Sequence, residues 1–326
     1  MVEPDFPALQ SAAQRLQGIA VRTPLLTQPA LDKATARQVF LKPETLQITG
    51  SFKFRGAYNR LSVLSDADRR AGVIAWSSGN HAQGIAAAAG MLGIHARIVM
   101  PEDAPPIKLH NTRALGADII TYDRYRQSRE ELAYALAERE GGVIVPSFDD
   151  PHIIAGQGTV GLECFKDAAQ RGRNLDALLV CCGGGGLTAG CALAAEALSP
   201  DTDLFTVEPA GYDDYARSLA AGQIESADTS QQSICDALLT PSPGELTFSI
   251  NRKRVKAGLT VSEEEVKAAV TYAFRELKLV AEPGGAVALA ALLQNKLDAA
   301  YQRVGVVLSG GNIDPALFAQ ILQESS

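Results

Sequence analysis

Ala177-Leu178-Leu179-Val180-Cys181-Cys182-Gly183-Gly184-Gly185-Gly186-Leu187 is the stretch on which the fold turns. Residues 177–181 are a short apolar run of strand type, and residues 187–197, rich in Ala and Leu, read as a helix. Strand, glycine loop and helix in that order make a βα unit, the building block of a parallel sheet covered by helices. A glycine inside ordered structure costs about 0.5–1 kcal/mol relative to alanine. Four in succession therefore indicate a backbone that something must approach closely. Amides free at a helix N-terminus suit a phosphate. The dinucleotide fingerprint G-x-G-x-x-G, at the first βα turn and with an acidic residue about twenty positions on, is not matched, which disfavours a nicotinamide oxidoreductase.

Working outward, the same alternation recurs in both halves of the chain. Residues 73–76, 96–100, 118–122 and 142–145 read as strands, separated by helical stretches such as 81–92 and 128–139. Beyond Ser147-Phe148-Asp149-Asp150-Pro151 a second set begins, with strands expected at 177–181, 204–207 and 303–308. This predicts a compact α/β unit followed by a boundary near residue 150. A helix is expected over 263–277, where Ser262 and Glu265 can form a capping box. A final helix is expected over 315–322. The stretch 222–245 has weak periodicity and is expected to be irregular surface or the border of an active site.

Composition bounds the function. The chain has 326 residues, 46% hydrophobic and 21% charged, as an ordinary globular protein does, and the length suits about two domains. Thirty basic against thirty-seven acidic side chains give a net charge of −7, so no global positive field exists to hold nucleic acid or an anionic membrane. A small-molecule partner is expected. The five cysteines, Cys164, Cys181, Cys182, Cys191 and Cys235, lack zinc-knuckle or C-x-x-C spacing and suit a reducing cytoplasm. No signal peptide and no uncharged run of about eighteen to twenty apolar residues is found, so a soluble protein is expected.

Three further motifs carry chemistry. In Thr49-Gly50-Ser51-Phe52-Lys53-Phe54-Arg55-Gly56 a lysine stands between two phenylalanines, a setting that can strip water from its amine and lower its pKa. A nucleophilic lysine must come down from about 10.4 toward about 7–8, or be held as a Schiff base, to serve at neutral pH. Ser77-Ser78-Gly79-Asn80-His81 lies between a strand and the next helix, where hydroxyls and free amides can hold a carboxylate. Leu308-Ser309-Gly310-Gly311-Asn312 ends the last strand, where ligands of open α/β sheets sit. A lysine carbonyl trap together with a phosphate loop favours a phosphorylated aldehyde cofactor.

With T-G-S-F-K-F-R-G, S-S-G-N-H-A-Q-G, the glycine tetrad and L-S-G-G-N in this order, the chain resembles the fold-type II pyridoxal 5′-phosphate (PLP) enzymes of the threonine/serine dehydratase and serine racemase family over roughly residues 20–315. The resemblance implies a tryptophan synthase β-like fold of two open, twisted, mainly parallel sheets, with a small unit over 72–149 set into a larger one made of 1–65 and 151–326. It implies that Lys53 carries PLP as a Schiff base, that Phe52 packs on the pyridine ring and that Asn80 meets the phenolic oxygen. Gly183, Gly184, Gly185, Gly186 and Leu187 would cradle the phosphate, and Ser309 would meet the ring nitrogen. A hydroxyl there supplies no counter-charge to a pyridinium, so prompt loss of a β-leaving group is favoured over a long-lived carbanion.

The implied activity is removal of the β-hydroxyl of L-threonine or L-serine, giving a 2-oxo acid and ammonia. The substrate carboxylate would sit on Ser77, Ser78, Asn80 and His81. Ser78 falls where the racemase branch has its second acid-base hydroxyl, which makes serine racemisation an alternative. Arg129 resembles an arginine that meets a dicarboxylate, which makes 3-hydroxyaspartate dehydration another. A PLP-binding protein without turnover is a remote third. Glu208-Pro209-Ala210-Gly211-Tyr212-Asp213-Asp214 resembles the family's cation loop, with Glu208, Asp214 and the Tyr212 carbonyl as ligands for Mg²⁺, Mn²⁺ or Ca²⁺. Glu282-Pro283-Gly284-Gly285-Ala286 departs from relatives, which often carry a hydroxyl residue where glycines stand here. The family resemblance also implies a homodimer, a small unit that closes over substrate and no isoleucine-sensing domain after the last helix.

Overall fold

The computed structural model describes residues 2–77, 79–104, 106–123 and 126–324. Among the described residues nine strands run β1 Gln38–Pro43, β2 Val73–Trp76, β3 Ala96–Pro101, β4 Asp118–Tyr122, β5 Val143–Ile144, β6 Ala177–Cys181, β7 Asp203–Pro209, β8 Val255–Val261 and β9 Arg303–Leu308. They form a five-stranded sheet, ordered β1-β9-β6-β7-β8, and a four-stranded sheet, ordered β4-β3-β2-β5. Every pairing between these strands is parallel. The four-stranded sheet thus comes from a continuous stretch inside 72–149, and the larger sheet joins β1 to strands that follow it.

Sequence patterns explain most helices. The helix Pro151–Gln170 starts where the Asp150 carboxylate accepts the amides of His152 and Ile153, with proline in its first turn. Ser262 and Glu265 form the expected capping box, and the helix Glu263–Tyr272 continues through a π turn over Ala273–Leu277. Between 222 and 245 only a short 3-10 turn, Asp236–Leu238, interrupts irregular chain.

Among the elements that the sequence reading does not name, three have an instructive reason. Pro151–Gln170 contains Gly156, Gly158 and Gly161, residues that weaken an isolated helix. Their reason is tertiary. A Cβ on Gly158 would stand 2.8 Å from the Gly190 backbone, and one on Gly161 would stand 2.8 Å from Cys191 Cα, so this helix and Gly186–Leu198 cross almost backbone to backbone. The strands β1 and β8 are likewise not apparent from pattern. β1 hides a lysine in its interior, and β8 is an edge strand of mixed character.

The interior lysine belongs to a buried ionic cluster. Arg55 grips Glu44 with Nε and Nη2, at 2.7 and 2.9 Å, and Glu163 with Nη1 and Nη2, at 2.8 and 3.0 Å. Lys42 Nζ completes it on Glu163 (2.5 Å) and on the Thr23 carbonyl (2.7 Å), and Thr23 Oγ1 donates to Glu44 (2.6 Å). Two cations and two anions cancel. The attraction of both carboxylates raises Arg55 above its already high pKa in spite of burial. The cluster ties β1 and the turn after it to the helices Lys53–Ser62 and Pro151–Gln170.

Removing one member strands opposite charges in a dry interior, at a cost of about 3–5 kcal/mol. Urea unfolding of Arg55→Ala is expected to show a loss of that size; a loss below about 1 kcal/mol, the worth of a surface pair, would mean that the cluster is solvated.

Candidate active site

The strands β1 and β9 pair in register to their last residues, Pro43 opposite Leu308, so the chains that follow leave the sheet side by side. These two loops are laced together. Phe52 N donates to Ser309 O (3.1 Å) and Gly311 N to Gly50 O (2.9 Å). Thr49 and Gly50 both take positive φ, and a Cβ on Gly50 would meet Asn312 Oδ1 at 2.8 Å. Lys53 follows as the first residue of the helix Lys53–Ser62. Its Nζ donates to the Ser147 carbonyl at 2.8 Å and lies 5.1 Å from the centroid of the Phe52 ring. Burial pushes the amine down to about 8, against the opposing pull of Cys181 and Glu282.

Around this amine lies a cavity of about 550 Å³ at the carboxyl ends of the large sheet's strands. Phe52, Lys53, Ser77, Asn80, His81, Arg129, Gly183, Gly184, Gly185, Gly186, Leu187 and Ser309 all line it. Most of the residues named from the sequence therefore meet in one place. Ser78 lies outside the described residues. The segment 236–243 also borders the cavity, as expected for part of 222–245.

The glycine tetrad enters the helix Gly186–Leu198 with Gly185 at φ +90°. Side chains there would collide with neighbours: on Gly184 with the Phe148 ring, on Gly185 with Tyr215, and on Gly186 with Gln157 Oε1 at 2.6 Å. The loop's carbonyls are tied back, Gly184 O by Thr247 Oγ1 (2.5 Å) and Gly185 O by Asn251 Nδ2 (3.2 Å). The first-turn amides have no intrahelical partner. A side-chain-free cradle at a helix N-terminus, beside a dry lysine, fits the phosphate and aldehyde of PLP.

At the opposite wall, Asn312 Nδ2 donates both to Thr49 O and to Asn80 Oδ1, each at 2.7 Å, and Asn80 Nδ2 donates to Glu282 Oε1 at 2.5 Å. Burial and the nearby Asp236 push the Glu282 carboxyl up to about 8. His81 donates Nε2–H to Val145 O (3.0 Å) as a neutral imidazole, because burial and Lys53 hold its pKa down to about 3. Its side chain therefore brings no positive charge, and its own donor for an anion is the backbone amide. Ser309 is buried and hydrogen-bonded to the Cys181 thiol, which burial pushes up to about 11. Ser77 Oγ accepts from the Gly79 amide at 3.2 Å.

Arg129 opens the helix Arg129–Glu140 at the cavity edge, with no hydrogen-bonded or ion-paired partner among the described residues. Lys108, also on the wall, is paired with Asp236. Glu282 and Gln157 were not singled out from sequence. The one local hint for Glu282 is a glutamate at a helix N-cap before proline, a place where Ser, Thr, Asp or Asn is the usual residue.

Glu208, Tyr212 and Asp214 lie outside this cavity, between the end of β7 and the helix Asp214–Ala221. The Glu208 carboxylate accepts the amides of Tyr215 (2.8 Å) and Ala216 (2.7 Å), while Asp214 Oδ2 is buried without a partner. Tyr212 donates its hydroxyl to Gln231 O (3.1 Å). Burial and Asp214 push Glu208 well above the usual carboxylate range, and burial raises Asp214 to about 6. Among the described residues no group of three or more His, Cys, Asp and Glu side chains is placed to hold a metal, and no helix is long and apolar enough to cross a membrane.

Comparison with known proteins agrees with this geometry. Residues 16–310 match the family model described as pyridoxal-phosphate dependent enzyme. The chain belongs to this family. It is 47% identical to an L-threo-3-hydroxyaspartate ammonia-lyase of a Pseudomonas species, over 96% of each chain. It is 42% identical to the serine racemase of Schizosaccharomyces pombe, over 99% of each. Among solved structures, the serine racemase of maize superposes with a TM-score of 0.92 at 34% identity, covering 99% of this chain and 98% of that one. These relatives establish the threonine/serine dehydratase and serine racemase branch of the fold-type II PLP enzymes, with PLP as the cofactor of the family.

Capture of the aldehyde requires the unprotonated amine. The rate at which cofactor-free protein takes up PLP, followed by stopped-flow absorbance, is expected to rise with pH and level off above about 8. A rate still climbing beyond about pH 10, the ordinary lysine range, would indicate a solvated lysine.

Proposed function

We propose that the protein is a PLP-dependent ammonia-lyase for β-hydroxy-α-amino acids, and that its preferred substrate carries a second carboxylate, as 3-hydroxyaspartate does. The observation that carries the substrate reading is Arg129, a guanidinium without a partner among the described residues at the edge of the cavity that holds Lys53. Buried or bordering cations are usually paired, and a planar fork of donors suits a carboxylate. Similarity to the Pseudomonas L-threo-3-hydroxyaspartate ammonia-lyase supports the same reading. The sequence alone ranks threonine and serine first; Arg129 reverses that order, and both remain substrates for the same machinery.

PLP, when bound, supplies the electron sink that makes loss of the Cα proton feasible. Gly183, Gly184, Gly185, Gly186 and Leu187 would hold its phosphate, Phe52 would pack on its ring, Asn80 would face its phenolic edge and Ser309 its nitrogen. The α-carboxylate of the substrate binds at the start of the helix Asn80–Leu92, to Ser77, Asn80 and the His81 amide. Lys53 Nζ takes the Cα proton, a task suited to an amine held near the working pH. A hydroxyl such as Ser309 at the ring nitrogen would supply no counter-charge, which would favour expulsion of the β-hydroxyl and release of ammonia and a 2-oxo acid. The unit 72–149 closes over the bound substrate. Serine racemisation is the second reading, favoured by similarity to the Schizosaccharomyces pombe enzyme.

A hydrogen bond to a charged group is worth about 1.5–3 kcal/mol, roughly ten- to a hundredfold in rate. Arg129→Ala is expected to lower kcat/KM for L-threo-3-hydroxyaspartate by that factor in an ammonia-release assay while L-serine and L-threonine change little. Equal losses on all three would remove the basis for a dicarboxylate substrate. No ammonia from any of them would favour a binding protein, and D-serine forming faster than pyruvate would favour a racemase.

Glu208, the Tyr212 carbonyl and Asp214 would serve as ligands for Mg²⁺, Mn²⁺ or Ca²⁺. An unpaired buried oxygen on Asp214 beside a second buried carboxylate supports this reading. A cation that binds only the folded chain adds about 2.7 kcal/mol at a hundred times its Kd. The Tm is therefore expected to rise on adding these ions and to fall back with chelator, and Asp214→Asn to lose the effect; a Tm indifferent to all three ions contradicts the site.

A further inference from the structure

Glu282 is 3% exposed, lines the cavity and spends its side chain on Asn80 across 202 residues of sequence. It stands at the N-cap of the helix Pro283–Leu293 but does not cap it. Its seat also shapes a motif: a Cβ on Gly310 would overlap Glu282 Oε1, so the first glycine of Leu308-Ser309-Gly310-Gly311-Asn312 makes room for this carboxyl. The backbone holds it from the same side, with Glu282 N donating to Gly310 O at 3.0 Å.

The amide chain that reaches Glu282 has only one consistent orientation. Thr49 O is an acceptor, so Asn312 turns its NH₂ toward it, and the second N–H of that group meets Asn80. Asn80 must then present oxygen to Asn312 and its own NH₂ to Glu282. One N–H of Asn80 is taken by Glu282; the other is left to the cavity.

We propose that Glu282 is a positioning residue that acts on the bound cofactor through Asn80, fixing the amide that faces the phenolic edge and coupling that edge to its own ionisation. This rests on the reading that Asn80 adjoins the phenolic oxygen. A carboxylate strengthens the Asn80 hydrogen bond and adds negative charge near the ring; a carboxylic acid does neither. The groups that face Glu282 are Lys53, Lys108, Asp236, Cys181 and Cys235, with neutral His81 beside Asn80. Burial and Asp236 favour the acid, whereas Asn80, Lys108 and Lys53 favour the carboxylate, and the balance falls at about 8.

The test uses the loaded protein, with cofactor content checked by release in alkali, and follows the absorbance of bound PLP from about pH 6 to about pH 10, a span that brackets the carboxyl's raised pKa. The wild type is expected to show a spectral transition with a midpoint near 8. Glu282→Gln, which keeps the shape and loses the ionisation, is expected to abolish it, and so is Asn80→Ala, which cuts the link. A transition retained with the same midpoint in either variant, or absent from the wild type, overturns the proposal.

A second measurement needs no cofactor. The folded-state pKa of Glu282 lies above its unfolded value, so its contribution to stability is present at low pH and is lost as pH rises from about 4.5 through about 8. Denaturant midpoints of cofactor-free Glu282→Gln should therefore gain on the wild type between about pH 5 and about pH 9, and a constant difference contradicts the ionisation. If that gain is seen while Asn80→Ala leaves the spectrum and its pH dependence untouched, the placement of Asn80 is at fault and not the ionisation of Glu282.

Discussion

Everything in the site depends on keeping the Lys53 amine dry and still. An ammonium in water is stable and useless as a nucleophile at neutral pH; burial makes its charge costly and brings its pKa to about 8. The helix that carries it must then resist the amine's tendency to escape to solvent. Arg55, two residues on and so about 200° around the helix axis, is bound on the opposite side by Glu44 and Glu163. Lys53 and its anchor thus share one short helix, the first facing the cavity and the second facing the core. Gly84 lets the helix Asn80–Leu92 come within 3.1 Å of the Lys53 backbone, measured to the Cβ that glycine lacks.

Charge in the cavity is distributed by the same rule. His81 and the Cys181 thiol are held neutral by burial, and Glu282 is held largely so below about pH 8. Beside the two wall lysines, Lys53 and Lys108, attraction for anions comes from helix N-termini and from Arg129 at the rim. The glycine tetrad and the start of the helix Asn80–Leu92 each present backbone dipoles of the kind that suit an anion. The two buried carboxylates Glu208 and Asp214 stand apart from this arrangement, outside the cavity.

How far the sequence alone discloses this depends on whether a residue's reason is local. The tetrad, Lys53 between phenylalanines, Ser77, Asn80, His81 and Ser309 can be read as cavity residues because a turn, a helix start or a flanking ring explains them within a few positions. Glu282 is not, since its partner Asn80 is 202 residues away. Arg55 is quoted inside a motif, yet its meaning comes from Glu163, 108 residues on. The glycines of the helix Pro151–Gln170 weigh against a helix until Gly190 and Cys191 are seen on the facing one. Burial of Lys42 likewise disguises β1, because a charged residue in a strand core reads as surface until its ion partner is known.

The account stands or falls on the covalent link between PLP and Lys53. Borohydride reduction of the loaded protein, followed by proteolysis and peptide mass mapping, tests it directly. The account predicts one reduced phosphopyridoxyl group, carried by the peptide that contains Lys53. Its recovery on another lysine, or an unmodified Lys53 peptide from fully loaded protein, would contradict it.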